Sequence, residues 1–255
     1  MIRMTRRQAL GGTSGVLGAL GLGLTALSPE AKGASPASRR LKVVVVGGHP
    51  DDPQSGCGGT IARYTDLSHE VVALFLTRGE RGIPGKSAEE TAAIRTAEAQ
   101  KSCALLKARP LFAHQVDAAT EINKDRYEEF QSLLEAERPD LVFTHWPIDT
   151  HPDHRVASLL VYDAWLRGHK KFDLYYYEVE LGSQTQNFWP TLYVDITSTE
   201  ARKREACYVH TSTVSGWYPL HESMHRFRGM EAGCKSGEAF VAHLQSLSDA
   251  PPSLL

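Results

Sequence analysis

From Leu41 onward, short apolar runs alternate with longer segments in which apolar residues recur every three or four positions. LKVVVV (41–46) is a β-branched run of the kind found in a strand buried on both faces of a parallel sheet. It breaks at Gly47-Gly48, and Ile61, Tyr64 and Leu67 then fall three apart, which predicts a helix over 58–68. VVALFLT (71–77) reads as a second strand and RGERGIPG (78–85) as a glycine-rich loop. Ser87 with Glu90 three residues later is a capping box, opening a helix through Ile94, Ala97, Lys101, Ala104 and Leu105. PLFAH (110–114) is a short third strand. Tyr127, Phe130, Leu133 and Leu134 mark a helix that Pro139 helps to end. DLVFTHW (140–146) is a fourth strand, and a helix runs through Val156, Leu159 and Leu160. FDLYYYEV (172–179) and TLYVDI (191–196) read as further strands, followed by a helix over 197–209. After about Ser212 the periodicity fades, and the expectation there is loops with short helices.

Alternation of strands and helices in this order predicts an α/β protein: a Rossmann-like three-layer sandwich with a mostly parallel sheet covered by helices on both faces. No linker or internal repeat interrupts it, so residues 36–255 are expected to form one domain. The first 35 residues read differently. Thr5-Arg6-Arg7-Gln8 places paired arginines ahead of VLGALGLGLTAL (16–27), which is too short for the roughly 20 residues that span a bilayer. Small residues follow at Gly33-Ala34-Ser35, completing the pattern of a cleaved export signal, of the twin-arginine type. The expected mature protein is therefore exported, periplasmic or extracellular, with no stable membrane insertion. An uncleaved membrane anchor or a disordered tail is the alternative.

Composition narrows this little. The chain has 255 residues, 42% hydrophobic and 23% charged, with a net charge of −2, so no basic surface announces a nucleic-acid partner. Cys57, Cys103, Cys207 and Cys234 form no Cys-x-x-Cys pair, which argues against a thiolate metal cage, and no catalytic cysteine is expected.

The chemistry is concentrated at two strand ends, where ligands of an open parallel sheet bind. His49-Pro50-Asp51-Asp52 follows the first strand, and His151-Pro152-Asp153-His154 follows the fourth. Imidazoles and carboxylates delivered from two elements to one rim point to a divalent metal, and a His/Asp set without cysteine suits zinc, with other metals left open. The competing reading is a pair of polar turns, since His, Pro and Asp all favour loops.

GGHPDDPQSGCGGT (47–60) and HPDH (151–154) resemble the two signature motifs of the LmbE-like (PIG-L) family of zinc-dependent N-acetylglucosaminyl deacetylases. LTRGERG (76–82), the Arg95-x-x-Glu98 helix and KREACYVHTS (203–212) extend the likeness over residues 40 to 212. The resemblance implies one Zn2+ per chain held by His49, Asp52 and His154. It implies Asp51 as general base, His151 as oxyanion stabiliser or proton donor to the amine, and Asp153 as the group orienting His151. Arg95, Asp117 and His210 would meet the substrate, a small molecule or glycan carrying an N-acetyl group. For Arg95 the alternative is a helix-surface pair with Glu98 or Glu90, and for His210 a structural histidine. His145, at the end of the fourth strand, is the remaining histidine nearest this rim. Pro53 departs from the family, which commonly has a glutamate there.

Three other functions compete with sugar deacetylation: an amidase acting on a larger amide conjugate, a non-catalytic carbohydrate binder, and a nucleotide-binding α/β protein. Asp51 argues against the binder, which has no need of a base. The glycines at 47–48 and 56–59 do not form Gly-x-Gly-x-x-Gly after the first strand, which argues against the nucleotide binder.

Overall fold

The structure, a computed structural model, describes residues 39–180, 182–213 and 217–246. All belong to one compact unit, Ser38–Leu255. The expected export signal at 1–35 lies outside the described residues. No described helix is long and apolar enough to cross a membrane.

Among the described residues, thirteen elements follow in the order β1 (Lys42–Gly47), α1 (Asp52–Asp66), β2 (Glu70–Thr77), α2 (Ala88–Leu105), β3 (Arg109–Gln115), α3 (Lys124–Glu137), β4 (Leu141–His145), α4 (Pro152–Arg167), β5 (Asp173–Tyr177), β6 (Leu192–Asp195), α5 (Glu200–Tyr208), α6 (Tyr218–Ala232) and β7 (Gly237–Ala242). The sheet order is β3-β2-β1-β4-β5-β7-β6. The first five strands are parallel, and β7 runs antiparallel to both β5 and β6. Strand alternation sends Val43 and Val45 to one face, where they pack with Cys57, Ile61 and Tyr64 of α1 and Ala206 of α5. Val44 and Val46 face the other way, against Phe130 and Leu134 of α3 and Leu160 and Trp165 of α4. This is the three-layer α/β sandwich expected from the alternation of elements.

Two expectations need correction. Helix α1 starts at Asp52, not at residue 58. Its first turns, Gln54-Ser55-Gly56-Cys57-Gly58-Gly59, are buried all round, so no amphipathic stripe reveals them. Pro53 in the first turn, where its missing N–H costs nothing, was the available signal. The segment after Ser212 is not loop with short helices. It holds the fifteen-residue α6 and the strand β7, which inserts between β5 and β6. Buried His221, His225 and Arg228 on α6 replace the apolar residues that would have marked a stripe.

Those buried polar groups fasten the C-terminal elements to α1. Glu238 of β7 accepts hydrogen bonds from Gly59 and Thr60 N–H, both at 2.8 Å, and pairs with the fully buried Lys203 of α5. Lys203 Nζ also lies 2.7 Å from His225 Nε2. A buried ammonium is tolerated only when paired and hydrogen-bonded in this way. The result fixes α1, whose N-terminus carries Asp51 and Asp52.

Candidate active site

Both tetrads straddle a strand end and a helix start. Asp51 is the N-cap of α1 and Asp52 its first residue, while His151 caps α4 ahead of Asp153 and His154. The partial positive charge of a helix N-terminus favours carboxylates there. Gly47 lets the chain turn so tightly: a Cβ on it would lie 2.6 Å from Pro53 Cδ.

The turn brings three donor atoms together. His49 Nδ1 lies 3.3 Å from Asp52 Oδ2, Asp52 Oδ2 lies 3.4 Å from His154 Nε2, and His154 Nε2 lies 3.2 Å from His49 Nδ1. A tetrahedral ion with bonds of about 2.0–2.1 Å separates its ligands by about 3.3–3.4 Å, so the triangle has the size of one face of such a site. His49, Asp52 and His154 therefore fit a divalent metal. Other groupings of the described residues, His49/His151/His154, His49/Asp117/His151/Asp153 and Asp52/His145/His154, also bring their donor atoms within 4.8 Å of one another. The His49–Asp52–His154 triangle is preferred because all three of its edges have the length of one tetrahedral face.

Each ligand imidazole has a carboxylate behind it, an arrangement that sets ring orientation and raises basicity in metal sites. His49 Nε2 lies 3.1 Å from Asp153 Oδ2 and 3.3 Å from Asp117 Oδ1. His154 Nδ1 lies 3.2 Å from Asp149 Oδ1. Burial lowers the pKa of both rings, but the carboxylates outweigh it, lifting His49 well above its usual value and His154 to about 9. A site that concentrates this much negative charge on imidazoles calls for a cation. His145 completes it: its ring stacks on His154 with centroids 3.9 Å apart, and its Nε2 lies 3.1 Å from Asp52 Oδ2.

The structure thus moves Asp153 from the role expected of it. Its side chain sits on His49, not on His151, and is locked by Ala118 N–H at 2.8 Å and the Thr120 hydroxyl at 2.6 Å. Only its backbone N–H reaches His151, donating to Nδ1 at 3.3 Å. Replacing Asp153 with Asn should weaken metal binding about 10–100-fold, as expected for loss of such a support. Competition with a chelator measures this, and an unchanged affinity would return Asp153 to His151.

Asp51 lies beside the triangle. The Arg95 guanidinium donates to its Oδ2 at 2.8 Å, and the Thr213 hydroxyl at 3.0 Å. Burial opposes the charge, yet Arg95 prevails and holds the carboxyl below its usual range. The loop between β2 and α2 wraps this guanidinium. Gly79 takes φ +71°, and a Cβ on it would come within 2.2 Å of Arg95 Nη1. Arg95 was expected to meet substrate. It lines the cavity, but its charge is committed to Asp51, and neither Glu98 nor Glu90 is its partner. Glu98 instead accepts from Thr211 and Ser212, fixing the turn that carries Thr213.

A cavity of about 320 Å³ opens over these groups, lined by His49, Asp51, Asp52, Asp117, His151 and His154 among others. Asp117 faces it while supporting His49 and accepting from Arg81 N–H at 2.9 Å. His210 does not line it: its ring is fully buried near Asp51, with neither nitrogen hydrogen-bonded among the described residues. Of the aromatic residues, Tyr175, Tyr176 and Tyr177 are buried in β5, Trp189 is exposed on the surface, and Trp217 lines the cavity. Sequence reasoning missed Asp149, two residues ahead of His151, where a turn aspartate carries no distinctive signal.

Comparison with known proteins agrees with this geometry. Residues 44–165 match the model of the PIG-L (GlcNAc-PI de-N-acetylase) family. A diacetylchitobiose deacetylase from Thermococcus kodakarensis is 29% identical over 216 residues, 77% of this chain and 81% of that protein. The structure of the N,N'-diacetylchitobiose deacetylase from Pyrococcus horikoshii superposes with a TM-score of 0.70 at 26% identity, over 80% of this chain and 84% of that one. A 4-carboxy-2-hydroxymuconate hydratase from Pseudomonas putida shares the fold with a TM-score of 0.69 at 19% identity, over 82% of this chain and 98% of that one. The architecture therefore hosts more than one reaction, and the reaction has to be argued from the site.

Proposed function

Because the chain belongs to the PIG-L family of de-N-acetylases, we propose that it removes the acetyl group from an N-acetylated sugar or sugar conjugate, with one zinc ion per chain. The observation that carries this reading is the triangle of His49, Asp52 and His154 with the ionised Asp51 beside it. Zinc in such a site lowers the pKa of a water molecule towards 7 and polarises the amide carbonyl.

The residues supply the rest. Asp51, kept ionised by Arg95, takes a proton from the attacking water and passes it to the departing amine. His151 accepts the Asp153 N–H at Nδ1, which places its own proton on Nε2. Burial and the neighbouring His49 and His154 rings lower its pKa, so it is a neutral donor. A neutral Nε2–H stabilises the developing oxyanion by a hydrogen bond, which favours that role over proton donation to the amine. His49 and His154 are held by Asp153, Asp117 and Asp149, so the geometry is set before substrate arrives.

The same reading places the enzyme outside the cytoplasm, on the strength of the paired arginines and short apolar run of residues 1–35. Acetate release from N-acetylglucosamine and its disaccharide by zinc-loaded protein tests the activity. Absence of acetate from both would sink the sugar deacetylase reading.

A further inference from the structure

One wall of the cavity comes from the segment between β5 and β6 and from the start of α6, and it carries Glu180, Gln184, Trp217 and His221. None of these belongs to the metal triangle or to its carboxylate supports. Glu180 is half-buried, and its backbone takes φ +41°, a left-handed conformation that residues with a side chain rarely adopt. Hydrogen bonds hold it there. Its carbonyl accepts from Ser183 and Gln184 N–H, both at 2.9 Å, and its own N–H donates to His221 Nε2 at 3.2 Å.

This wall is tied to the metal centre. Thr185 Oγ1 accepts from Val179 N–H at 2.9 Å and donates to Asp149 Oδ2 at 3.1 Å, while the other oxygen of Asp149 supports His154. Glu180 therefore keeps a fixed position relative to a ligand of the triangle. Glu180 lines the cavity together with Asp51 and Asp52; the Ser183 hydroxyl donates to its Oε2 at 3.1 Å, and burial outweighs that bond and raises the carboxyl pKa. Trp217, which lines the same cavity, has its Nε1 buried without a hydrogen-bond partner among the described residues. The arginines that line the cavity, Arg81 and Arg95, come from the loop after β2 and from α2, and Arg95 is paired with Asp51; among the described residues this wall adds no cation.

We propose that Glu180 and Trp217 form the sugar subsite of this enzyme, with the Glu180 carboxylate accepting hydrogen bonds from ring hydroxyls and the Trp217 indole meeting the ring. This assignment rests on the deacetylase reading and narrows it. The substrate presents a neutral, hydroxyl-rich ring to this wall, because an anionic group such as a sugar phosphate would be repelled by Glu180. Vicinal hydroxyls suit the two oxygens of a carboxylate, and an aromatic face suits the apolar C–H face of a pyranose.

The test compares wild type, Glu180→Ala and Glu180→Gln on three acetamides: N-acetylglucosamine, its 6-phosphate, and N-acetylethanolamine, which lacks the ring. Binding of N-acetylglucosamine is also read by calorimetry in an Asp51→Ala background, where turnover does not interfere. With zinc content and melting temperature unchanged, Glu180→Ala should raise KM for N-acetylglucosamine about 10-fold or more and leave kcat within about threefold. Kinetics on N-acetylethanolamine should not change. Glu180→Gln should narrow the preference for the neutral sugar over its phosphate. Unchanged sugar KM and binding, or an equal loss on the ring-less amide, would overturn the subsite. Glu180-dependent sugar binding without acetate release from wild type would leave the subsite standing and overturn the deacetylase reading instead.

Discussion

Replacing Asp51 with alanine should leave the zinc content at one per chain and lower kcat/KM by about 10²–10⁴-fold, the range that a positioned general base contributes. The carboxylate lies beside the His49–Asp52–His154 triangle but is no part of it, and its own partners are Arg95 and Thr213. Removing it takes away the proton acceptor without removing a metal donor. Asp51→Asn guards against the unpaired Arg95 left by the alanine variant and should lose activity to a similar extent. Normal turnover by either variant would assign the base elsewhere. Arg95→Ala tests the partner relationship by its pH dependence. The guanidinium lowers the pKa of Asp51, so its loss raises that pKa, and activity on the acid side should disappear at a higher pH than in wild type. An acid limb that stays in place while KM rises would show Arg95 contacting substrate instead.

His154→Ala should fail in the opposite pattern, losing both metal and turnover. His154 Nε2 is one corner of the triangle, 3.2 Å from His49 Nδ1 and 3.4 Å from Asp52 Oδ2. Loss of the metal removes water activation and carbonyl polarisation together, several kcal/mol of transition-state stabilisation and so a fall on the order of 10³-fold or more. His145 stacks on His154 and reaches Asp52, but its burial and the His154 charge depress its pKa to about 4 and mark it as a neutral supporting ring. Elemental analysis beside an acetate assay separates the two variants. Zinc retained by inactive His154→Ala would remove His154 from the ligand set.

The fold and the candidate metal site were legible in the sequence for different reasons. LKVVVV and VVALFLT announce buried parallel strands because both faces of such strands are covered, and every residue type agrees. The two tetrads announce the site because histidine, proline and aspartate recur in one order at two strand ends. What stayed hidden depends on long-range pairing. Lys203, Glu238 and His225 are charged or polar in sequence and read as surface, yet they meet in the core and anchor α6 and β7 to α1. The same limit misplaced Asp153, whose neighbour in sequence is His151 but whose partner in space is His49. Arg95 was legible as a residue of the cavity, but its partner, forty-four residues earlier at Asp51, was not. Glu180 carried no signal at all, since its importance lies in a backbone conformation and a shared cavity.

The most direct test of a zinc-dependent deacetylase is to strip the protein with a chelator and titrate zinc back while following acetate release from the N-acetylglucosamine disaccharide. The account predicts no release without metal, a rise with each addition, and a break at one zinc per chain, with His49→Ala/His154→Ala inactive throughout. Full acetate release from metal-free protein, or one zinc bound per chain with no acetate released, would contradict it.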